Sequence, residues 1–200
     1  MAQIYTGMIS RDNQRLKRSI RLMALHNTSD QWSWLSKVFH WVIAVLIFIQ
    51  IPLGYYADDL KLSPLKIDMF VWHKSIGMLI LMLVILRLLW RIKSTNPTAI
   101  AGTAVEKSMA TAAHYVLYCL MLALPLSGWV ISSAANFPVK LFWLIPLPAI
   151  SGPDESVKLL ATEVHEVCVV TLIFILIVHI GAAFRHHVLL HDNALKRMWF

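Results

Sequence analysis

Four stretches of this chain are apolar over the length of a membrane crossing, and most of its charge lies between or beyond them. They run roughly from Trp34 to Tyr56, Met69 to Trp90, Met109 to Ile131 and Val157 to Phe184. Each is near the ~20 residues a helix needs to cross the hydrocarbon core. A fifth apolar run, Phe137 to Ile150, is too short to span, and Pro138, Pro146 and Pro148 interrupt any helix there. It is expected as a cap lying at the interface between the third and fourth spans. The predicted fold class is all-α: an integral-membrane four-helix bundle with a short interfacial segment between helices 3 and 4.

Composition agrees. Of 200 residues, 58% are hydrophobic and only 14% charged, where a soluble domain carries roughly 25% charge; the mean hydropathy is +0.64. Residues 31–200 are expected as one transmembrane domain. Residues 1–30 read as a basic tail with Arg11, Arg15, Lys17, Arg18 and Arg21 but no directly following apolar core, so a cleavable signal peptide is not expected. Leu16, Ile20, Met23 and Ala24 could form the apolar face of a short surface helix there; a disordered tail is the other reading. Cys119 and Cys168 form no CxxC or CxxCH, which excludes covalent c-type haem and gives no disulfide framework.

Charge predicts the orientation. Thirteen of the 18 Lys and Arg residues fall on the side of the N-terminus, the second loop and the C-terminus. The other side holds Lys61, Lys66, Lys74, Lys140 and Lys158, together with Asp58, Asp59, Asp68, Asp154, Glu155, Glu163 and Glu166. By the positive-inside rule both termini are cytoplasmic. The net charge of +7 is thus mostly a topology signal, and nothing indicates a nucleic-acid partner. Trp34, Trp72, Trp90, Trp129 and Trp143 fall near span ends, as an aromatic belt does.

Within the spans, four histidines carry the candidate chemistry. An ionisable residue in lipid is costly and marks a functional site by default. His73 and His165 fall near the outer face; His40 and His179 fall near the cytoplasmic face. His165 and His179 are fourteen residues apart, which at 100° per residue is about 40° short of four whole turns, so they share one helix face about 21 Å apart. Each depth-matched pair can clamp a planar macrocycle between facing helices. Imidazole is a normal axial haem ligand, and two of them leave no open position on the iron, which suits electron transfer. A lone intramembrane histidine can equally be a proton relay or a packing residue. A zinc or copper site needs three or four ligands close together, which the 21 Å spacing forbids for all four.

Further candidates surround these. His114, near the cytoplasmic start of the third span, can compete with His40 or His179 as a ligand, or bind a quinone oxygen or a propionate. His186, His187 and His191 follow the fourth span, as headgroup contacts or as a quinone or proton-uptake site. Arg87 and Arg91 can pair with haem propionates or serve as positive-inside anchors. Lys74, beside His73, can do the same on the outside, or snorkel.

The chain resembles the bacterial cytochrome b561 family. The matching pieces, in family order, are Phe39-His40-Trp41; His73-Lys74-Ser75-Ile76-Gly77; Arg87-Leu88-Leu89-Trp90-Arg91; His114 with Pro125 and Leu126-Ser127-Gly128; His165-Glu166; His179; His186-His187; and the run Asp192 to Met198. They cover residues from about 34 to 198. The resemblance implies a small di-haem b protein with His40, His73, His165 and His179 as the haem ligands. One branch of the family resembles a superoxide oxidase, taking electrons from superoxide outside and passing them to ubiquinone. The run from Ser127 to Ala149 resembles a second branch.

The function expected first is transmembrane electron transfer through two non-covalent haem b groups in the bacterial inner membrane. It would run between a periplasmic donor (superoxide or a small redox protein) and ubiquinone, in lipid and without nucleic acid. Whether the chain is itself an enzyme, a superoxide:ubiquinone oxidoreductase, is left open. A haem b anchor subunit of a larger redox enzyme is the second reading. A non-redox transporter using a histidine relay is the third.

Overall fold

The computed structural model describes residues 27–28, 31–95, 97–98 and 102–199. The possible surface helix around Leu16 to Ala24, and nearly all of the basic tail, lie outside the described residues. Four long helices follow one another up and down: α1 (Trp34–Asp59), α2 (Pro64–Lys93), α3 (Ala104–Ala134) and α4 (Glu155–Val188). A small hairpin, β1 (Lys140–Leu141) and β2 (Ile145–Pro146), lies between α3 and α4, and a short α5 (Ala194–Met198) ends the described chain. All four long helices are long and apolar enough to cross a membrane.

The helices run past the apolar segments that predict them, because capping side chains set their ends. Ser33 accepts from Ser36 N–H at the start of α1. Ser63 accepts from Lys66 N–H, with Pro64 at the first helical position of α2. Thr103 and Glu106 form a reciprocal capping box on α3. Asp154 accepts from Val157 N–H on α4. Each satisfies one of the otherwise orphaned first-turn donors. Apolar pattern therefore measures the hydrocarbon width, and the polar caps add a turn or two beyond it.

The core is a narrow seam. Ile43 and Ile47 of α1, Ile80 and Val84 of α2, and Leu117, Leu120 and Met121 of α3 meet there, with Leu172 as the buried contribution of α4. These residues recur at three- and four-residue spacing, so each helix offers one stripe. Away from the seam, large apolar side chains such as Phe48, Phe174 and Ile177 face outward. That is the surface of a protein whose solvent is lipid.

Packing is uneven. α1 lies along α2, α3 lies along α4, and α2 also touches α3. Among the described residues no comparable packing joins α4 to α1 or α2. A slot is left between α4 and the α1/α2 pair, and it is bridged by side chains.

The cap departs from the all-helical expectation by its two-residue strands, paired Lys140↔Pro146 and Leu141↔Ile145. Leu144 N–H bonds to Leu141 C=O at 2.8 Å, and the two central residues of that turn, Phe142 and Trp143, both have positive φ. Such a turn closes a hairpin with the right twist but is strained for bulky residues. Ser75, fully buried on α2, offsets this by accepting from Phe142 N–H at 2.8 Å. Trp72 adds edge contacts to Phe142 and Trp143. The cap thus leans on α2 as well as on α3, where Trp129 Nε1–H donates to Pro148 C=O and Ser133 Oγ accepts from Ile150 N–H.

Candidate functional site

Both histidine pairs that depth predicts are brought face to face. At the hairpin end, His73 of α2 and His165 of α4 have ring centres 6.4 Å apart and planes inclined at 65°. At the end carrying the termini, His40 of α1 and His179 of α4 repeat the arrangement at 6.4 Å and 67°. All four reach across the slot, where α4 has no packing against α1 or α2 comparable to that between the other helices. The two α4 histidines share a face, as their spacing requires.

Local structure fixes each ring. His165 Nδ1 lies 3.0 Å from Ser127 Oγ, and Ser127 gives its own proton to Leu124 C=O at 2.9 Å. Ser127 can then only accept, so His165 carries hydrogen on Nδ1 and presents a free lone pair on Nε2. On the opposite side, His73 lies against the backbone of α1 at Gly54. A β-carbon there would stand 2.7 Å from His73 Cε1 and 3.1 Å from Nδ1. Gln50, one turn earlier on the same face of α1, donates from Nε2 to His73 C=O at 2.7 Å.

At the other end, Arg87 of α2 donates to His40 Nδ1 at 3.3 Å and lies over the Tyr118 ring. Arg91 donates to Tyr118 Oη at 3.4 Å and faces the rings of Trp32 and Tyr118. No carboxylate pairs with either guanidinium among the described residues. Trp41 packs edge-on to His40 and donates from Nε1 to Met198 C=O at 2.9 Å, so the C-terminal α5 is tied to the residue beside His40.

The family described as prokaryotic cytochrome b561 matches residues 31–200. The chain belongs to that family. It is 29% identical over 184 residues to cytochrome b561 homolog 2 of Escherichia coli (strain K12), covering 88% of this chain and 95% of the relative. It is 28% identical over 165 residues to cytochrome b561 homolog 1 of the same organism, covering 80% and 91%. A probable superoxide oxidase CybB of Yersinia pestis is 27% identical over 172 residues, covering 84% and 95%. Transmembrane electron transfer through haem b is the activity this membership carries, in a multi-pass protein of the bacterial inner membrane.

The residues present fit that group. Two imidazole nitrogens at about 2 Å from one shared metal put the ring centres about 6 Å apart, which is the spacing of both pairs. Gly54 keeps a side chain out of the space the His73 ring occupies. Ser127 leaves the His165 nitrogen that would meet iron unprotonated.

The remaining candidates fall at different places. His114 of α3 lies beside His179, ring centres 5.7 Å apart, on the helix that packs directly along α4. Lys74, next to His73 in sequence, sits over the Phe137 ring at 4.4 Å. His187 and His191 line an open hollow of about 330 Å³ with Val188, Asp192 and Lys196. His186 is held instead by Asp192. Ser127 lies in a motif the sequence singles out, but its role as hydrogen-bond acceptor is not visible there. Gln50 and Gly54 carry no sequence signal beyond a lone polar residue and a lone glycine in an apolar run.

Proposed function

We propose that this protein moves electrons across the membrane through two haem b groups, one held by His73 and His165 and the other by His40 and His179. The observation that carries this reading is the duplication: two imidazole pairs, at opposite ends of one slot, with the same 6.4 Å separation. When bound, each haem supplies an iron that accepts and releases one electron. Everything else is done by the chain.

Each histidine pair would hold its haem from both sides, which would leave no open position on the iron for oxygen. Ser127 orients His165 and, by accepting from it, makes it a more electron-rich ligand. Arg87 has a second task. A guanidinium only donates, so while it holds His40 Nδ1 the His40 proton sits on Nε2. Ligation through Nε2 therefore requires Arg87 to release His40. Arg87, once released, and Arg91 beside it would be the donors that hold a propionate. His114 has direct helix packing, not a macrocycle-wide slot, between itself and α4, so it serves next to the pair and not as an axial ligand. Lys74 is the cation closest in sequence to the outer pair and would be the residue to hold its propionates.

Both termini are assigned to the cytoplasm by the Lys and Arg distribution. The His73/His165 pair is then periplasmic. Its donor is a periplasmic one-electron reductant; superoxide is the first to test, because one relative is named a probable superoxide oxidase. The acceptor is ubiquinone, at the cytoplasmic hollow lined by His187 and His191.

The test is haem content of the purified protein by reduced-minus-oxidised spectrum and pyridine haemochrome. Two b-type haems per chain are expected. One would remove one pair from the reading, and none, in protein made with haem available, would overturn it in favour of the histidine-relay transporter. A soluble redox partner that co-purifies would favour the anchor-subunit reading.

A further inference from the structure

The two rings of the hairpin-end pair are not equally supported. His165 has a partner for its second nitrogen in Ser127. His73 Nδ1 is fully buried and makes no hydrogen bond. A ligating imidazole almost always gives its other N–H to an acceptor, and a buried donor left alone costs about 1–3 kcal/mol.

One residue supplies what is missing. Gln50 Nε2 is already bound to the His73 carbonyl at 2.7 Å. Its side-chain oxygen Oε1 is also fully buried and also without a partner. A buried donor and a buried acceptor, both orphaned, thus sit on two residues that already grip one another. Two glycines make this approach possible. Gly54 opens the space for the ring, and at Gly77, one turn beyond His73, a β-carbon would stand 3.2 Å from Gln50 Nε2. A longer side chain at either position would push the amide and the imidazole apart.

We propose that Gln50 is the positioning residue of the hairpin-end haem: its side-chain oxygen accepts a hydrogen bond from His73 Nδ1–H while its amide nitrogen holds the His73 carbonyl. This rests on His73 being an axial ligand. Gln50 touches neither the iron nor the macrocycle and acts through His73. By accepting from Nδ1–H it makes the ring more basic, and a more electron-rich ligand favours the oxidised iron. Gln50 therefore lowers the midpoint potential of that haem and leaves the other unchanged.

The experiment is a spectroelectrochemical titration of the haem-loaded protein and of Gln50→Leu. The hairpin-end wave is assigned beforehand as the one missing from His165→Ala. In Gln50→Leu that wave is expected to rise by about a tenfold change in its reduction equilibrium, ~59 mV for one electron, with the second wave fixed. Gln50→Glu, which restores an oxygen acceptor, returns it to or below the wild-type position. Full haem with neither wave moved, or movement of the other wave, overturns the proposal. If Gln50→Leu does not assemble, Gln50→Met, equal in length to glutamine, is read in its place by the same criteria. The ligand reading fails separately: His73→Ala would then keep both waves, whatever Gln50 does.

Discussion

Gly54 lies directly beneath the His73 imidazole, so closely that a β-carbon on it would stand 2.7 Å from Cε1. In an ordinary helix interior Gly→Ala stabilises by about 1 kcal/mol. Here the added methyl collides with a ring that has no freedom to move if it must meet iron. Gly54→Ala is expected to lower the occupancy of the hairpin-end haem severalfold. Gly181→Ala, where a β-carbon meets nothing within 4 Å, should leave both haems in place. Haem-to-protein ratio measures both, and equal behaviour of the two variants would contradict the argument.

The matched separation of the two imidazole pairs predicts a pattern of loss. His73→Ala and His165→Ala should each lose the same haem, and His40→Ala and His179→Ala the other. Low-temperature difference spectra and EPR of the four variants test this. A haem shared between His73 and His179 would break the assigned pairing.

Arg87, which contacts His40 Nδ1 in this structure, would keep its positive charge beside the same haem once a propionate had replaced His40 as its partner. A nearby cation disfavours the additional charge of oxidised iron. Arg87→Met should therefore lower the midpoint potential of the haem held by His40 and His179, and weaken its retention as the propionate partner is lost. Redox titration gives the direction; an increase would contradict it.

The C-terminal segment should respond to acid. Partial burial alone would raise the Asp192 carboxyl pKa, but donation from His186 and from Ala194 N–H outweighs it and holds the group below the usual carboxylate range. For a depressed carboxyl, the stabilisation is present above the unfolded-state value and is lost as pH falls through the folded one. Docking of α5 should therefore persist at neutral pH and loosen only below about pH 4. Its signature is the Trp41 environment, since Trp41 binds Met198 and packs on Trp199. Proteolysis or fluorescence across this range checks it, with Asp192→Asn loosened already at pH 7.

Much of this is legible in the sequence, for physical reasons. Apolar length reveals the four spans because the hydrocarbon imposes it, and helical periodicity puts His165 and His179 on one face because α4 is uninterrupted. Depth pairing of His73 and His40 with them follows from chain reversal at each loop. The parts that are not legible depend on distances between helices. Nothing along α1 distinguishes Gly54 from an ordinary small residue until α2 places His73 over it. Ser127 reads as a helix residue until α4 turns a ring toward it. The hairpin at 140–146 escapes because its prolines argue against helix without revealing that Ser75, on a distant segment, accepts from its turn.

α4 supplies one histidine to each pair and is a single unbroken helix between them. In the proposed reading, the spacing between the two haem sites is therefore set largely by one rod of fixed pitch. Swelling of the bundle, a change of lipid thickness or a loosened neighbour can tilt that rod, but cannot stretch it. Inserting or removing a single residue between His165 and His179 would turn one of them about 100° away from the shared face and so break a pair before it changed a distance.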